Sequence, residues 1–387
     1  MKLPVQPVFS CDSFGGGTGA PSLLDAGEII YLNRGSLAIG HALTLMDLEP
    51  GSEVLLPAYH CPAMVEPVVW AGFSPVFYRI HADTSADLED LGNRIGPSSR
   101  VMLVPHYFGF PQEMGRIRAF CDRHGLLLIE DCAHAFFGEC SGHPVGFHGD
   151  YAVGSAWKFF PVNEGACLVS SRHALPDKDL QSGGLFFELK SVLNTLEHSV
   201  EYGRLGMLNF PAKTLLGIKD WLWKVMKNLD EQGEDTGKEE YPASGFDGKR
   251  VRQRISLASK RIIESSSKSR IVERRRSNYL RLQSALECID GGRPLFGALP
   301  EKVVPHVFPF LVDRPEAVFQ RLKSAGVPVI RFGEYLWKDM ERGTCPVSEE
   351  YSRRVFQFPC HQDLSGEDID WMIGRIRAAL GYGEVVE

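Results

Sequence analysis

Two charged residues sit where a charge is costly. Asp131 closes the apolar run Leu126-Leu127-Leu128-Ile129-Glu130, and Lys158 lies among Trp157, Phe159 and Phe160. A lysine in apolar surroundings has a lowered pKa, which suits a Schiff-base amine. An acid at the end of a buried strand needs a partner. A pyridinium nitrogen is one: the carboxylate keeps the ring protonated, and the ring then acts as an electron sink. His134, three residues on, could reach the same ligand's phenolic oxygen. Ser155, three residues before Lys158, could hold a phosphate oxygen. Gly35 and Ser36 open a helical pattern, and a helix start offers free N–H groups and the positive dipole end to a phosphate. Each piece also has a plainer reading. Asp131 could cap a turn, Lys158 could pack its stem on aromatics with its head in water, and Ser36 could be a simple N-cap.

Other chemistries fit less well. Cys132, His134, Cys140 and His143 are close in sequence, but their spacings do not match a structural zinc site. No metal is expected. The run Gly15-Gly16-Gly17-Thr18-Gly19 lacks a preceding strand and a following Lys-Ser/Thr, so it is not a P-loop. No G-x-S-x-G elbow is present.

The elements that must position these residues alternate between strand and helix. Helical periodicity covers 36–48, 64–72 and 112–124, the last closed by Gly125. Apolar strands are read at 53–57, 75–78, 100–105, 126–131, 152–156 and 166–170. Strands without clean alternation, separated by helices, indicate a largely parallel sheet covered on both faces. Ligands of such sheets sit at the carboxyl ends of the strands, where Asp131 falls. Residues 176–230 are helical and rich in Leu and Trp. Residues 229–245 are acidic and glycine-containing and read as a loop. Helix returns over 249–286, with a basic stretch at 270–276. A smaller α/β pattern follows: strands at 304–312, 327–332 and 355–358, and helices at 315–325 and 366–380.

The bulk properties agree with a two-unit soluble protein. The chain has 387 residues, more than one small core organises. It is 44% hydrophobic and 24% charged, with a formal net charge of −7, which argues against a nucleic-acid binder. Its nine cysteines include no C-x-x-C pair and lie in apolar segments, as reduced thiols of a cytoplasmic protein do. The start lacks a signal-peptide core, and no run of about 18 apolar residues is present.

Taken in order, the fragments resemble the DegT/StrS family of pyridoxal-phosphate (PLP) dependent sugar aminotransferases. The resemblance is carried by Ser52-Glu53-Val54-Leu55-Leu56-Pro57-Ala58-Tyr59, by Ala71 to Tyr78, by Val104-Pro105-His106-Tyr107-Phe108-Gly109 and by His124 to Ala135. It continues through Val145 to Ser155, and more loosely through Phe358-Pro359-Cys360-His361 and Leu364 to Asp368. It covers most of 30–175 and part of 250–380.

The resemblance implies an α/β fold of PLP type I. A large domain (1–250, with a helical insertion at 176–230 and the loop at 229–245) carries a mostly parallel seven-stranded sheet, and 251–387 supplies interface helices and a small C-terminal α/β domain. It implies a cytoplasmic homodimer with active sites at the interface. The activity implied is transfer of an amino group, from glutamate, to a keto-sugar nucleotide or related ketone in polysaccharide or secondary-metabolite biosynthesis. Alternatives are a dehydratase-like PLP reaction and a non-catalytic relative. In this reading Gly35, Ser36 and Ser155 bind the cofactor phosphate, and Asp131 and His134 bind its ring. Lys158 bonds its aldehyde, and the stacking position falls near Cys61, with Tyr59 and His60 beside it. Arg252 or Arg254 would serve a phosphate with bidentate geometry, in the place where family members lend an asparagine to the neighbouring subunit. The lysine follows the serine by three residues instead of the usual five, and the stretch 176–230 is not usual for the family. An amphipathic stretch at 211–226, with Trp221 and Trp223, reads as a helix packed on the body, with a membrane surface as the less favoured alternative.

Overall fold

The computed structural model describes residues 2–15, 17, 19–206, 209–210, 213–214 and 245–381. The amphipathic stretch 211–226 and the acidic loop 229–245 therefore lie outside the described residues, apart from Lys213, Thr214 and Gly245.

The first half alternates as its hydrophobic pattern requires. Strand β1 (Glu28–Leu32) leads into helix α1 (Gly35–Leu45), followed by β2 (Glu53–Pro57), α2 (Pro62–Trp70), β3 (Ser74–Tyr78) and α3 (Leu88–Arg94). Next come β4 (Ser99–Pro105), α4 (Met114–His124) and β5 (Leu127–Asp131). A small hairpin of β6 (Glu139–Cys140) and β7 (His143–Pro144) precedes β8 (Tyr151–Ser155) and β9 (Ala166–Ser170). The seven long strands form one sheet in the order β1-β9-β8-β5-β4-β2-β3. The pairs β3–β2, β2–β4, β4–β5 and β5–β8 are parallel, while β9 runs antiparallel to both β8 and β1. The central strands β5, β8 and β9 are buried almost throughout, as a sheet covered on both faces demands.

Helix α5 (Gly184–Glu201) leaves the sheet. Its buried stripe is polar: Ser191, Thr195 and Ser199, at four-residue spacing. The single helix expected over 249–286 is two, α6 (Leu257–Ser265) and α7 (Lys268–Leu286). The break has a local cause. Ser266 is extended, and the Ser267 side chain caps α7 by accepting from the Arg270 N–H.

The C-terminal part builds a second sheet, in the order β10 (Gly292–Pro294), β11 (Val307–Val312), β13 (Val355–Pro359), β12 (Ile330–Arg331), all antiparallel neighbours. Helices α8 (Pro315–Ser324), α9 (Pro346–Arg354) and α10 (Gly366–Leu380) complete it. Its core gathers Tyr279 and Leu282 of α7, Phe308 and Phe310 of β11 and Met372 of α10, and Leu3 from the chain start joins it. Among the described residues no helix is long and apolar enough to cross a membrane.

Candidate active site

The carboxyl ends of the parallel strands open into a cavity of about 370 Å³. Six of the sequence-derived candidates line it, His134 among them. Asp131 ends β5, Ser155 ends β8, Lys158 lies in the turn that follows, and Gly35 and Ser36 start α1. A second hollow of about 380 Å³ continues toward the C-terminal sheet. It shares Cys61, His134, Trp157, Lys158 and Phe332 with the first and adds His306.

One end of the cavity is a cradle. A Cβ placed on Gly35 would lie 3.8 Å from Ser155 Oγ, so the helix start and the end of β8 are neighbours. Ser36 and Ser155 are buried, and neither hydroxyl has a hydrogen-bond partner among the described residues. No side chain caps the first turn of α1, so its leading N–H groups stay open to an acceptor. Open donors, two unpartnered hydroxyls and a helix dipole fit a phosphate.

The other end holds the acid, the imidazole and the amine. Asp131 Oδ1 accepts the Ala133 N–H at 2.9 Å, and its second oxygen has no protein partner among the described residues. Burial pushes this carboxyl above its ordinary value, opposed by the Ala133 N–H, Lys158 and His106. A cation placed on the free oxygen would relieve that cost. His134 Nδ1 accepts the Phe108 N–H at 3.4 Å, which leaves its proton on Nε2. Burial, then the Lys158 charge, holds this imidazole well below its ordinary value. It is a neutral donor. The Lys158 ammonium lies 5.8 Å from the centre of the Trp157 ring and forms no ion pair among the described residues. Burial depresses it, opposed by Cys61 and Asp131.

The supports come from farther away. Beneath Asp131, Glu130 is fully buried. It accepts from His106 Nε2 at 2.9 Å and from the N–H groups of Gly146, His148 and Gly149 at 2.6, 3.1 and 3.0 Å. Glu130, His106 and Cys132 are of metal-ligating type and lie close together. The carboxylate, however, is already engaged by these donors, and it serves to anchor the end of β5. Arg275 of α7, with no exposed surface, donates to the carbonyls of Lys158 (2.7 Å) and His306 (2.9 Å) and to Gln362 Oε1 (3.0 Å). Gln362 in turn donates to the Phe159 carbonyl at 2.8 Å. The polar stripe of α5 meets the same loop: Ser191 donates to Glu164 Oε1 at 2.9 Å, beside Ser256 at 2.6 Å. Apart from Glu130, these supports come from distant segments, and no local pattern marks them.

Two expected pairs are placed elsewhere. Tyr59 and His60 lie behind the cavity wall, and Cys61 faces the cavity instead. Tyr59 is fully buried and packs edge-on against Phe332 at 5.0 Å. His60 Nε2 accepts the Trp337 N–H at 2.8 Å while its ring stacks on Phe77, and burial holds its pKa down at about 4. Arg252 and Arg254 do not line the cavity either. Arg254 donates to the Asp177 carbonyl at 2.7 Å and pairs with its carboxylate at 3.3 Å.

Residues 21–178 match the family model described as the DegT/DnrJ/EryC1/StrS aminotransferase family. The same segment is similar to GDP-perosamine synthase of Vibrio cholerae, 31% identical over 39% of this chain and 42% of that protein. It is also similar to dTDP-4-dehydro-2,3,6-trideoxy-D-glucose 4-aminotransferase of Saccharopolyspora spinosa, 34% identical over 38% of this chain and 39% of that protein. The match thus spans about two fifths of the length of each curated relative. Two solved structures extend the likeness of fold to the whole chain. The putative sugar aminotransferase Spr1654 of Streptococcus pneumoniae superposes with a TM-score of 0.66 at 16% identity, covering 98% of this chain and 99% of that one. The aminotransferase TlmJ of Streptoalloteichus hindustanus gives 0.63 at 21% identity, covering 91% and 85%. The fold is the type I fold of PLP-dependent transferases.

Proposed function

We propose that the chain is a PLP-dependent aminotransferase that moves an amino group from a donor, glutamate, to a keto-sugar nucleotide or related ketone. The observation that carries this reading is the convergence, in one cavity, of the half-free Asp131 carboxylate, the unpaired Lys158 amine and the Gly35–Ser36–Ser155 cradle. The names of the curated relatives supply the substrate class.

The residues present fit the cofactor. Gly35, Ser36 and Ser155 would hold its phosphate, the free Asp131 oxygen its pyridine nitrogen and His134 Nε2–H its ring oxygen. Lys158 would bond its aldehyde. When bound, the cofactor supplies an electron sink for the pair left at the donor's α-carbon. Burial keeps Lys158 able to shed its proton, so its free Nζ can take the α-proton of the donor and return one to the acceptor carbon. Asp131 would keep the bound ring cationic. Trp157 and Phe332 wall the cavity and limit water.

The two-unit division, 1–250 and 251–387, a homodimer and a cytoplasmic location belong to the same proposal. Since Arg254 is already paired with Asp177, Arg252 is the one left to reach a second copy's phosphate. The test is to assay the half-reactions separately, with glutamate and with a panel of keto-sugar nucleotides. Amino transfer from glutamate to at least one of the panel supports the reading. Failure of every donor and every ketone to convert the bound cofactor would sink it.

A further inference from the structure

The cradle described above has donors but needs a counter-charge, because a phosphate brings close to two negative charges at neutral pH. Among the described residues, only two lysine or arginine side chains line the cavity, Arg34 and Lys158, against two acids, Asp131 and Glu164. Lys158 and Asp131 are assigned to the aldehyde and the ring nitrogen. Glu164 places a second carboxyl near the cradle, since the Gly165 N–H beside it donates to the Asn33 carbonyl at 2.7 Å. Its Oε2 is buried and unpartnered. Arg34 is the cationic side chain nearest in sequence to that cradle.

Arg34 is placed and free to act. It is the residue directly before Gly35 and Ser36, in an extended conformation at the N-cap of α1 (φ −141°, ψ 155°), and its side chain makes no cap. It forms no ion pair and no side-chain hydrogen bond among the described residues. Its Nη1 lies only 3.0 Å from where a Cβ on Gly245 would sit. Gly245 has a φ of +73°, so a side chain there would be strained and would also press on the guanidinium.

We propose that Arg34 is the counter-ion of the cofactor phosphate, supplied by the same chain that supplies Lys158. This rests on the PLP reading above. It gives the phosphate a planar, bidentate partner from its own chain, beside any contact that Arg252 of a second copy makes.

The test uses the full-length protein, cleared of cofactor and titrated by absorbance with PLP and with pyridoxal, which lacks the phosphate. Wild type, Arg34→Gln, Arg34→Lys and Arg252→Gln are compared. Arg34→Gln should weaken PLP by ~10- to 100-fold, the range of one charge-assisted hydrogen-bonded pair. Pyridoxal binding should stay within a factor of two or so of wild type, since the Lys158 end is untouched, and Arg34→Lys should recover part of the loss. The assignment is overturned if Arg34→Gln leaves PLP affinity unchanged, if it weakens both compounds equally, or if Arg252→Gln alone removes the preference for PLP. A wild type that binds neither compound would defeat the PLP reading itself, and the assignment with it. Wild-type binding with an unaffected Arg34→Gln defeats Arg34 alone.

Discussion

Arg275 Nη2 donates to the carbonyl oxygen of Lys158 across 2.7 Å, joining helix α7 to the turn that carries the amine. The guanidinium lies 4.4 Å from the centre of the Phe159 ring, and burial lowers its pKa to about 10. It therefore remains a cation at neutral pH, and its donors meet carbonyls and an amide where a carboxylate partner is usual. The position of Lys158 is thus set from the C-terminal part of the chain as well as from its own sheet.

Arg275→Met should cost about 3–5 kcal/mol, because it strands the Lys158 and His306 carbonyls and Gln362 without their donor. Urea unfolding measures this. A loss under 1 kcal/mol would mean that these groups find water or other partners.

The central pair was legible because sequence order separates strand ends from strand middles. Asp131 closes an apolar run, and Ser155 and Lys158 follow the next strand. The turn after β2 was less legible. In Pro57-Ala58-Tyr59-His60-Cys61 a shift of one or two residues decides which side chain faces the cavity, and a position read near Cys61 does not separate it from the neighbouring Tyr59 and His60. Strand β1 escaped notice because it is five residues long and pairs antiparallel with β9 at the sheet edge. Arg275, Gln362 and His306 were invisible because they reach Lys158 or Phe159 from more than 100 residues away, and no local pattern encodes such a contact. The split between α6 and α7 was missed because two serines read as helix surface until their caps are seen.

Capture of PLP requires the neutral Lys158 amine, so its rate should rise with pH about a midpoint below the ordinary lysine value of ~10.4. Asp131 raises the Lys158 pKa. Asp131→Asn should therefore move the midpoint lower still. Stopped-flow absorbance across pH reads both values. A wild-type midpoint at the ordinary value would contradict the burial of the amine.

Glu130 gives the acid limb of stability a specific source. Burial pushes its carboxyl up, but the His106 hydrogen bond and charge and the Gly146 N–H outweigh this and hold it below its ordinary value. A depressed native pKa contributes stability that is present above the unfolded value of ~4.3 and is lost as pH falls through the native one. Asp131 is raised and so acts in the opposite sense. Glu130→Gln should destabilise by about 3 kcal/mol at neutral pH and flatten the decline between pH ~5 and ~3. Chemical denaturation at several pH values tests this, and an unchanged slope would assign the acid limb to other groups.

Ser155→Ala removes one unpartnered hydroxyl from the cradle. PLP affinity should fall by ~5- to 10-fold, about 1 kcal/mol for one hydrogen bond, with pyridoxal affinity unchanged. Equal weakening of both would place Ser155 away from the phosphate.

The most direct measurement is the absorbance spectrum of the purified protein mixed with PLP, set beside that of Lys158→Ala. A new long-wavelength band in the wild type, absent from the variant at equal folded content, is the predicted result. No band in the wild type, or the same band in Lys158→Ala, would contradict the assignment of Lys158.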